Sequence, residues 1–154
     1  MPIELTLATS ISTEMKQTSA NIFLDSNVCI YLFAKDAKKA EIAFTLMDKS
    51  PIISTQVIAE ATNVFIKKLK FSKQTAFSSS MFIMNQAAIV NVITPITIQN
   101  AFAISLKNDF SFFDSLIIAS ALDSNCDILY SEDLQHQQKI SFEKKHITII
   151  NPFI

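Results

Sequence analysis

The stretch CDILYSEDLQH, residues 126–136, decides how the chain is read. Ile128, Leu129 and Tyr130 are three β-formers in a row, as expected of a short buried strand. The strand breaks off at Ser131, and Glu132 and Asp133 follow at once. A strand that runs into the interior and ends in two carboxylates needs a physical reason. One acid there could be a turn residue or a helix cap. The other explanation is an acidic edge to which several strand ends contribute.

Working outward, the same shape recurs. NIFLD, residues 21–25, reads as a buried strand ending at Asp25. PIIS (51–54) is a brief second strand, IVNVI (89–93) a third, DILYS (127–131) the fourth and HITIIN (146–151) the fifth. Helical patterns lie between them. VCIYLFAK suggests a short helix, and an amphipathic one follows near residues 37–49. TQVIAEATNVFIKKLK is a strong helix, with Val57, Ile58, Ala61, Val64, Phe65 and Leu69 on one apolar face. Residues 73–89 form another, rich in Phe and Met, and TIQNAFAISLKN a further one after Pro95. FFDSLIIASALDS is apolar nearly all round and should be buried. Strands alternating with helices predict an α/β fold with a parallel sheet covered on both faces. No repeat, linker or low-complexity segment divides the chain. Residues 1–20, rich in Ser and Thr, read as an N-terminal extension, a short added strand or a flexible arm, and 21–154 as the domain.

Composition narrows the function. With 154 residues, 49% hydrophobic and 18% charged, the chain can bury the core of one globular domain. No apolar run is long enough to span a bilayer. The opening MPIELTLATS lacks a basic-then-apolar pattern, so no secretory signal is expected. Cys29 and Cys126 suggest neither a disulfide framework nor a metal knuckle, and a reducing cytoplasm is the expectation. Glycine is absent altogether, which excludes a phosphate-cradling loop of P-loop or dinucleotide type. Turns and helix ends should rely on Asn, Asp, Ser and Pro instead. Net charge is −1, a weak argument against nucleic acid. Setting four of the 14 acids aside, however, leaves 10 against 13 basic residues. All of these are Lys, clustered at 35, 38 and 39 and at 67, 68, 70 and 73. The plain reading of both clusters is a solvated helix face. Without Arg, any contact to nucleic acid should go to phosphates and not to base edges.

Four acids hold comparable addresses. Asp25 ends the first strand, and Asp133 follows the fourth. Glu60 lies early in the helix after the second strand, and Asp114 early in the buried helix before the fourth. Each has an ordinary explanation. Asp25 could cap a helix, and Asp114 stands at capping-box spacing from Ser111. Glu60 shares a polar stripe with Gln56, Asn63 and Lys67, and Asp133 could be a turn acid. Yet in an open parallel sheet the carboxyl ends of the strands share one edge, where ligands bind. Four carboxylates there need cations or protons to offset their repulsion. Oxygen ligands without a Cys or His cluster point to Mg²⁺ or Mn²⁺. Such ions favour hydrolysis of a phosphodiester.

FLDSNV, VIAEATNVF, FSFFDSLIIASAL and LYSEDLQ, in this order and spacing, resemble the successive motifs of PIN-domain ribonucleases. The nearest likeness is to the VapC-like toxins of bacterial type II toxin–antitoxin pairs, over residues 21–154. The resemblance implies a PIN-like three-layer α/β/α sandwich with a central, mostly parallel sheet, here of five strands. It implies Mg²⁺- or Mn²⁺-dependent RNA cleavage, a cognate antitoxin and a homodimer, with no membrane association. It places Asp25, Glu60, Asp114 and Asp133 in the catalytic, metal-binding quartet, with Asn27 and Ser131 as supporting polar residues. Lys67, two helical turns beyond Glu60, is a candidate for RNA phosphate. Three departures stand out: Ser26 where Thr is usual, Phe113 where Trp is common, and Gln137 where relatives carry Gly. Glu132 is expected to face solvent, and His136 either to approach phosphate or to be solvated. Asp109 and Asp127 are expected at a helix end and a strand entry. Two rivals remain open at this level. DSN after the first strand faintly resembles the nucleophile loop of haloacid-dehalogenase-type phosphatases, with Asp25 as nucleophile. Alternatively, the domain binds RNA or a partner without cutting.

Overall fold

The computed structural model describes residues 20–154. Apart from Ala20, the expected N-terminal extension lies outside the described residues. Six strands form one sheet: β1 (Ile22–Leu24), β2 (Ile52–Ser54), β3 (Ile89–Asn91), β4 (Ile128–Tyr130), β5 (Lys139–Phe142) and β6 (Lys145–Ile150). Six helices accompany them: α1 (Ser26–Ile30), α2 (Ala37–Met47), α3 (Thr55–Lys67), α4 (Lys73–Gln86), α5 (Pro95–Asn108) and α6 (Phe112–Asp123). A 3₁₀ turn over Tyr31–Phe33 extends α1. Among the described residues no helix is long and apolar enough to cross a membrane.

The strand order is β3-β2-β1-β4-β6-β5, parallel throughout except for the β5–β6 pair. The chain leaves β1 towards β2 and β3, then returns to place β4 on the other side of β1. The order therefore reverses between β1 and β4, and this is where an open α/β sheet offers its ligand crevice. Register fixes the site: Leu24 pairs with Tyr130, so Asp25 and Ser131 emerge together. The Asp25 amide donates to the Tyr130 carbonyl at 3.0 Å.

The sequence predicts five strands, and the sixth is β5. Lys139–Phe142 alternates outward and inward, with Ile140 buried, and pairs antiparallel with β6. Its turn, through Glu143 at φ 54°, contains neither Gly nor Asn, so the usual hairpin signal is missing.

Phe23, Leu24, Ile53, Leu129, Ile147 and Ile149 fill the centre of the sheet at zero or 1% exposure. Strands buried this completely need helices on both faces. The helices divide accordingly: α3 packs with α1 and α4, while α5 packs on α6. Helix α6 lies against β2 and β6 and is buried continuously from Ser115 to Leu122. Among the described residues, each of the six α-helices starts on an oxygen-bearing cap: Asp25, Asp36, Ser54, Ser72, Thr94 and Ser111. Among the described residues six are left-handed without glycine: Ser50, Lys70, Asp109, Asn125, Gln137 and Glu143. Three of these match the expected residue types; Lys70, Gln137 and Glu143 do not, and they adopt the conformation at a steric cost.

Candidate active site

Asp25 lies at the switch point and is 6% exposed. One carboxylate oxygen, Oδ1, accepts from the Ser26 amide at 2.7 Å, the helix-capping bond of α1. The other, Oδ2, accepts from Ser131 Oγ at 2.8 Å and from Asn27 Nδ2 at 3.4 Å. Capping a helix therefore occupies only one of the two oxygens, and the other is bonded across the sheet edge. Burial pushes the Asp25 carboxyl up to about 6. The Ser131 and Ser26 bonds oppose that rise, while the charges of Glu60 and Asp114 add to it.

Glu60 reaches Asp25 through one residue. Ser26 Oγ donates to Glu60 Oε2 at 2.7 Å and lies 3.4 Å from Asp25 Oδ1. Glu60 Oε1 accepts from Gln56 Nε2 at 2.8 Å, one turn earlier on α3. The same Gln56 amide donates to the Phe113 carbonyl at 3.1 Å, tying α3 to the first turn of α6, where Asp114 stands. The Asp114 amide donates to Ser111 Oγ at 3.2 Å. The reciprocal bond of a full capping box, present at Thr94 and Thr97 of α5, does not form here. The Asp114 carboxylate is therefore left to act on Asp25 through space.

Asp133 joins through Asn27, whose Nδ2 donates to its Oδ2 at 3.1 Å and lies 3.4 Å from Ser131 Oγ. Asn27 Oδ1 accepts from the Glu132 amide at 3.1 Å, and Ser131 Oγ accepts from the Asp133 amide at 3.3 Å. Asn27 and Ser131 thus bridge the β1 and β4 ends. The structure brings Asp25, Glu60, Asp114 and Asp133 to one sheet edge. It does not close them into a cage: among the described residues no three Asp, Glu, His or Cys side chains are grouped to hold a metal ion. Chemically the edge fits a hard divalent cation. Its donors are all oxygens, and its central carboxylate is raised to about 6, chiefly by burial, with the charges of Glu60 and Asp114 adding to the rise.

The other named residues fall elsewhere. Lys67 is exposed in the last turn of α3. Glu132 is partly exposed but not free in solvent: it accepts from Tyr31 Oη at 2.6 Å and pairs with Lys39. Partial burial works against its charge, but the bonds from Lys39 and Tyr31 prevail and hold its carboxyl below the usual value. His136 is a structural acceptor, its Nδ1 taking the Asn151 amide at 3.0 Å. Asp109 ends α5 in the left-handed region, and Asp127 receives the Asn21 amide at 3.0 Å before β4. Burial pushes the Cys29 thiol far upward and Cys126 to about 12, so neither is a nucleophile at neutral pH. The sequence gives no role to Ser26 beyond a mild substitution, nor to Gln56 beyond a helix stripe. Its four-residue spacing from Glu60 is the one signal that could have marked it.

The family profile of the PIN domain matches residues 22–142. The chain belongs to the PIN-domain family. No curated protein matches it. Among solved structures, this PIN domain is similar to the VapC20 toxin of Mycobacterium tuberculosis, described as cleaving the sarcin–ricin loop. The two are 18% identical over 73% of this chain and 90% of that one, with a TM-score of 0.60. It is similar to VapBC2 of Rickettsia felis, bound to a promoter DNA fragment, at 19% identity over 73% and 86%, TM-score 0.57. It is also similar to FitAcB of Neisseria gonorrhoeae, at 14% identity over 86% and 98%, TM-score 0.59. At these identities the likeness speaks for the fold.

Proposed function

We propose that this PIN domain is a Mg²⁺- or Mn²⁺-dependent endoribonuclease, the toxin of a toxin–antitoxin pair, acting in the cytoplasm. The observation that carries the reading is the hydrogen-bonded edge around Asp25, built from three separate chain segments, with the first turn of α6 tied to it through Gln56. Asp25, Asp114 and Asp133, with Glu60, would hold the cation. Bound there, a divalent ion would make water acidic and offset charge on a phosphodiester.

The chain's own residues do the rest. Asn27 and Ser131 hold Asp25 and Asp133 in place. Glu60, oriented by Gln56 and Ser26, holds or takes the proton of the attacking water. Lys67 meets a backbone phosphate of the RNA, seven residues along the same helix face. The toxin assignment draws on the neighbours, which include VapBC and FitAB assemblies. It also draws on exposed Phe102, Leu106 and Phe113, at 53%, 89% and 63%, which offer an apolar face to an antitoxin or a second copy. The test is RNA cleavage by the purified chain. Cleavage is expected with Mn²⁺ and not with EDTA or in Asp25→Asn. A folded parent that leaves RNA intact with Mn²⁺ overturns the nuclease reading in favour of a binding module, and a trapped phospho-Asp25 would point to a phosphatase.

A further inference from the structure

Asp133 is exposed on a short non-helical turn after β4, yet the proposed site needs it at a defined place. What holds that turn lies beyond it. Both oxygens of Glu132 are engaged away from the acidic edge, Oε2 by Tyr31 Oη and Oε1 by Lys39 Nζ. Lys39 Nζ also donates to Tyr31 Oη at 3.0 Å and sits 4.6 Å from the Tyr31 ring centroid and 5.2 Å from that of Phe153. Tyr31 and Phe153 meet edge to face at 4.9 Å. The tail bearing Phe153 is itself pinned: His136 takes the Asn151 amide, and Asn151 Oδ1 takes the Phe153 amide at 2.9 Å. Among the described residues, Lys39–Glu132 is the one ion pair.

The grip passes directly into the site. With its side chain anchored, Glu132 presents its backbone amide to Asn27 Oδ1 at 3.1 Å. That bond decides which way round the Asn27 amide sits. Only in this orientation does Nδ2 donate to Asp25 and Asp133. From these contacts we infer that Lys39, Tyr31 and Glu132, backed by Phe153, form a clasp of positioning residues. The clasp sets Asn27 and Asp133 for cation binding, and it keeps Glu132 from becoming a ligand. As to the cation, this rests on the ribonuclease reading.

The test compares Lys39→Met, Glu132→Gln and the conservative Lys39→Arg with the parent. In metal-free protein, hydrogen exchange at the Glu132 and Asp133 amides should accelerate in the first two variants and be restored in Lys39→Arg. Calorimetric Mn²⁺ affinity should fall about tenfold in Lys39→Met and Glu132→Gln, the usual effect of losing a residue that orients a ligand. Cleavage at saturating Mn²⁺ should recover, which a general loss of fold would not allow. Parent-like exchange and Mn²⁺ affinity in both variants would overturn the clasp. If the parent neither binds Mn²⁺ nor cuts RNA, the nuclease reading fails separately. Amide exchange then decides the clasp alone: acceleration keeps the positioning, and unchanged exchange removes it.

Discussion

Asp25→Asn offers the sharpest energetic test of the acidic edge. Without a cation, the parent carries a buried carboxyl raised from 3.8 to about 6. A raised carboxyl means that the native state holds its proton more tightly than the unfolded chain. The stability from this group is therefore complete below pH 3.8 and is lost as pH rises through 6. The loss amounts to about 3 kcal/mol at neutral pH and only about 1 kcal/mol near pH 4.5. The amide in Asp25→Asn never ionises. Its oxygen keeps the Ser26 bond, and Ser131 Oγ can accept from its nitrogen, but the 3.4 Å contact from Asn27 is lost, at about 1 kcal/mol. The net expectation in EDTA is a variant about 2 kcal/mol more stable than the parent at pH 7.5. Its advantage should be smaller by about 2 kcal/mol at pH 4.5. Urea unfolding of both proteins at the two pH values measures this directly. Adding Mn²⁺ should then stabilise the parent and not the variant, because a cation bound only to the native state shifts its stability by mass action. A variant less stable than the parent at pH 7.5, or an advantage independent of pH, would refute the account of Asp25.

Further expectations follow from other contacts. Ser131→Ala removes the donor to Asp25 and the acceptor for the Asp133 amide. It should cost about 1–2 kcal/mol in urea unfolding and weaken Mn²⁺ binding in calorimetry. Leu129→Ala, at a fully buried position of β4, should cost about 3 kcal/mol by the same unfolding measurement. Gln137→Gly should be neutral or stabilising by up to about 1 kcal/mol, because φ is 64° there, whereas Gln137→Val should destabilise. Gln56→Leu, which frees Glu60 and the Phe113 carbonyl, should lower cleavage at saturating Mn²⁺ with little change in melting temperature.

Much of the architecture was legible because strands buried on both faces leave dense apolar runs. NIFLD and DILYS carry their polar break at the carboxyl end, so Asp25 and Asp133 could be placed before the strand order was known. The expected helix starts at residues 55 and 73 agree with α3 and α4, and Ser111 was marked by its spacing from Asp114, though the fourth helix stops at Gln86, before the expected residue 89. β5 stayed hidden because a four-residue edge strand with a Glu143 turn has neither length nor turn chemistry to mark it. Gln137 stands where the resemblance leads one to expect glycine, and its left-handed backbone is the conformation that favours glycine. The bonds from Tyr31 and Lys39 to Glu132 were not legible. They join residues more than 90 positions apart, and no local spacing encodes such a pairing.

The central claim, that strand ends distant in sequence jointly hold a divalent cation, is tested most directly by diffraction from crystals soaked in Mn²⁺, recorded at its absorption edge. The account predicts an anomalous peak bounded by Asp25 and at least two of Glu60, Asp114 and Asp133. Crystals saturated with Mn²⁺ that show these carboxylates ordered, apart and without a peak between them would contradict it.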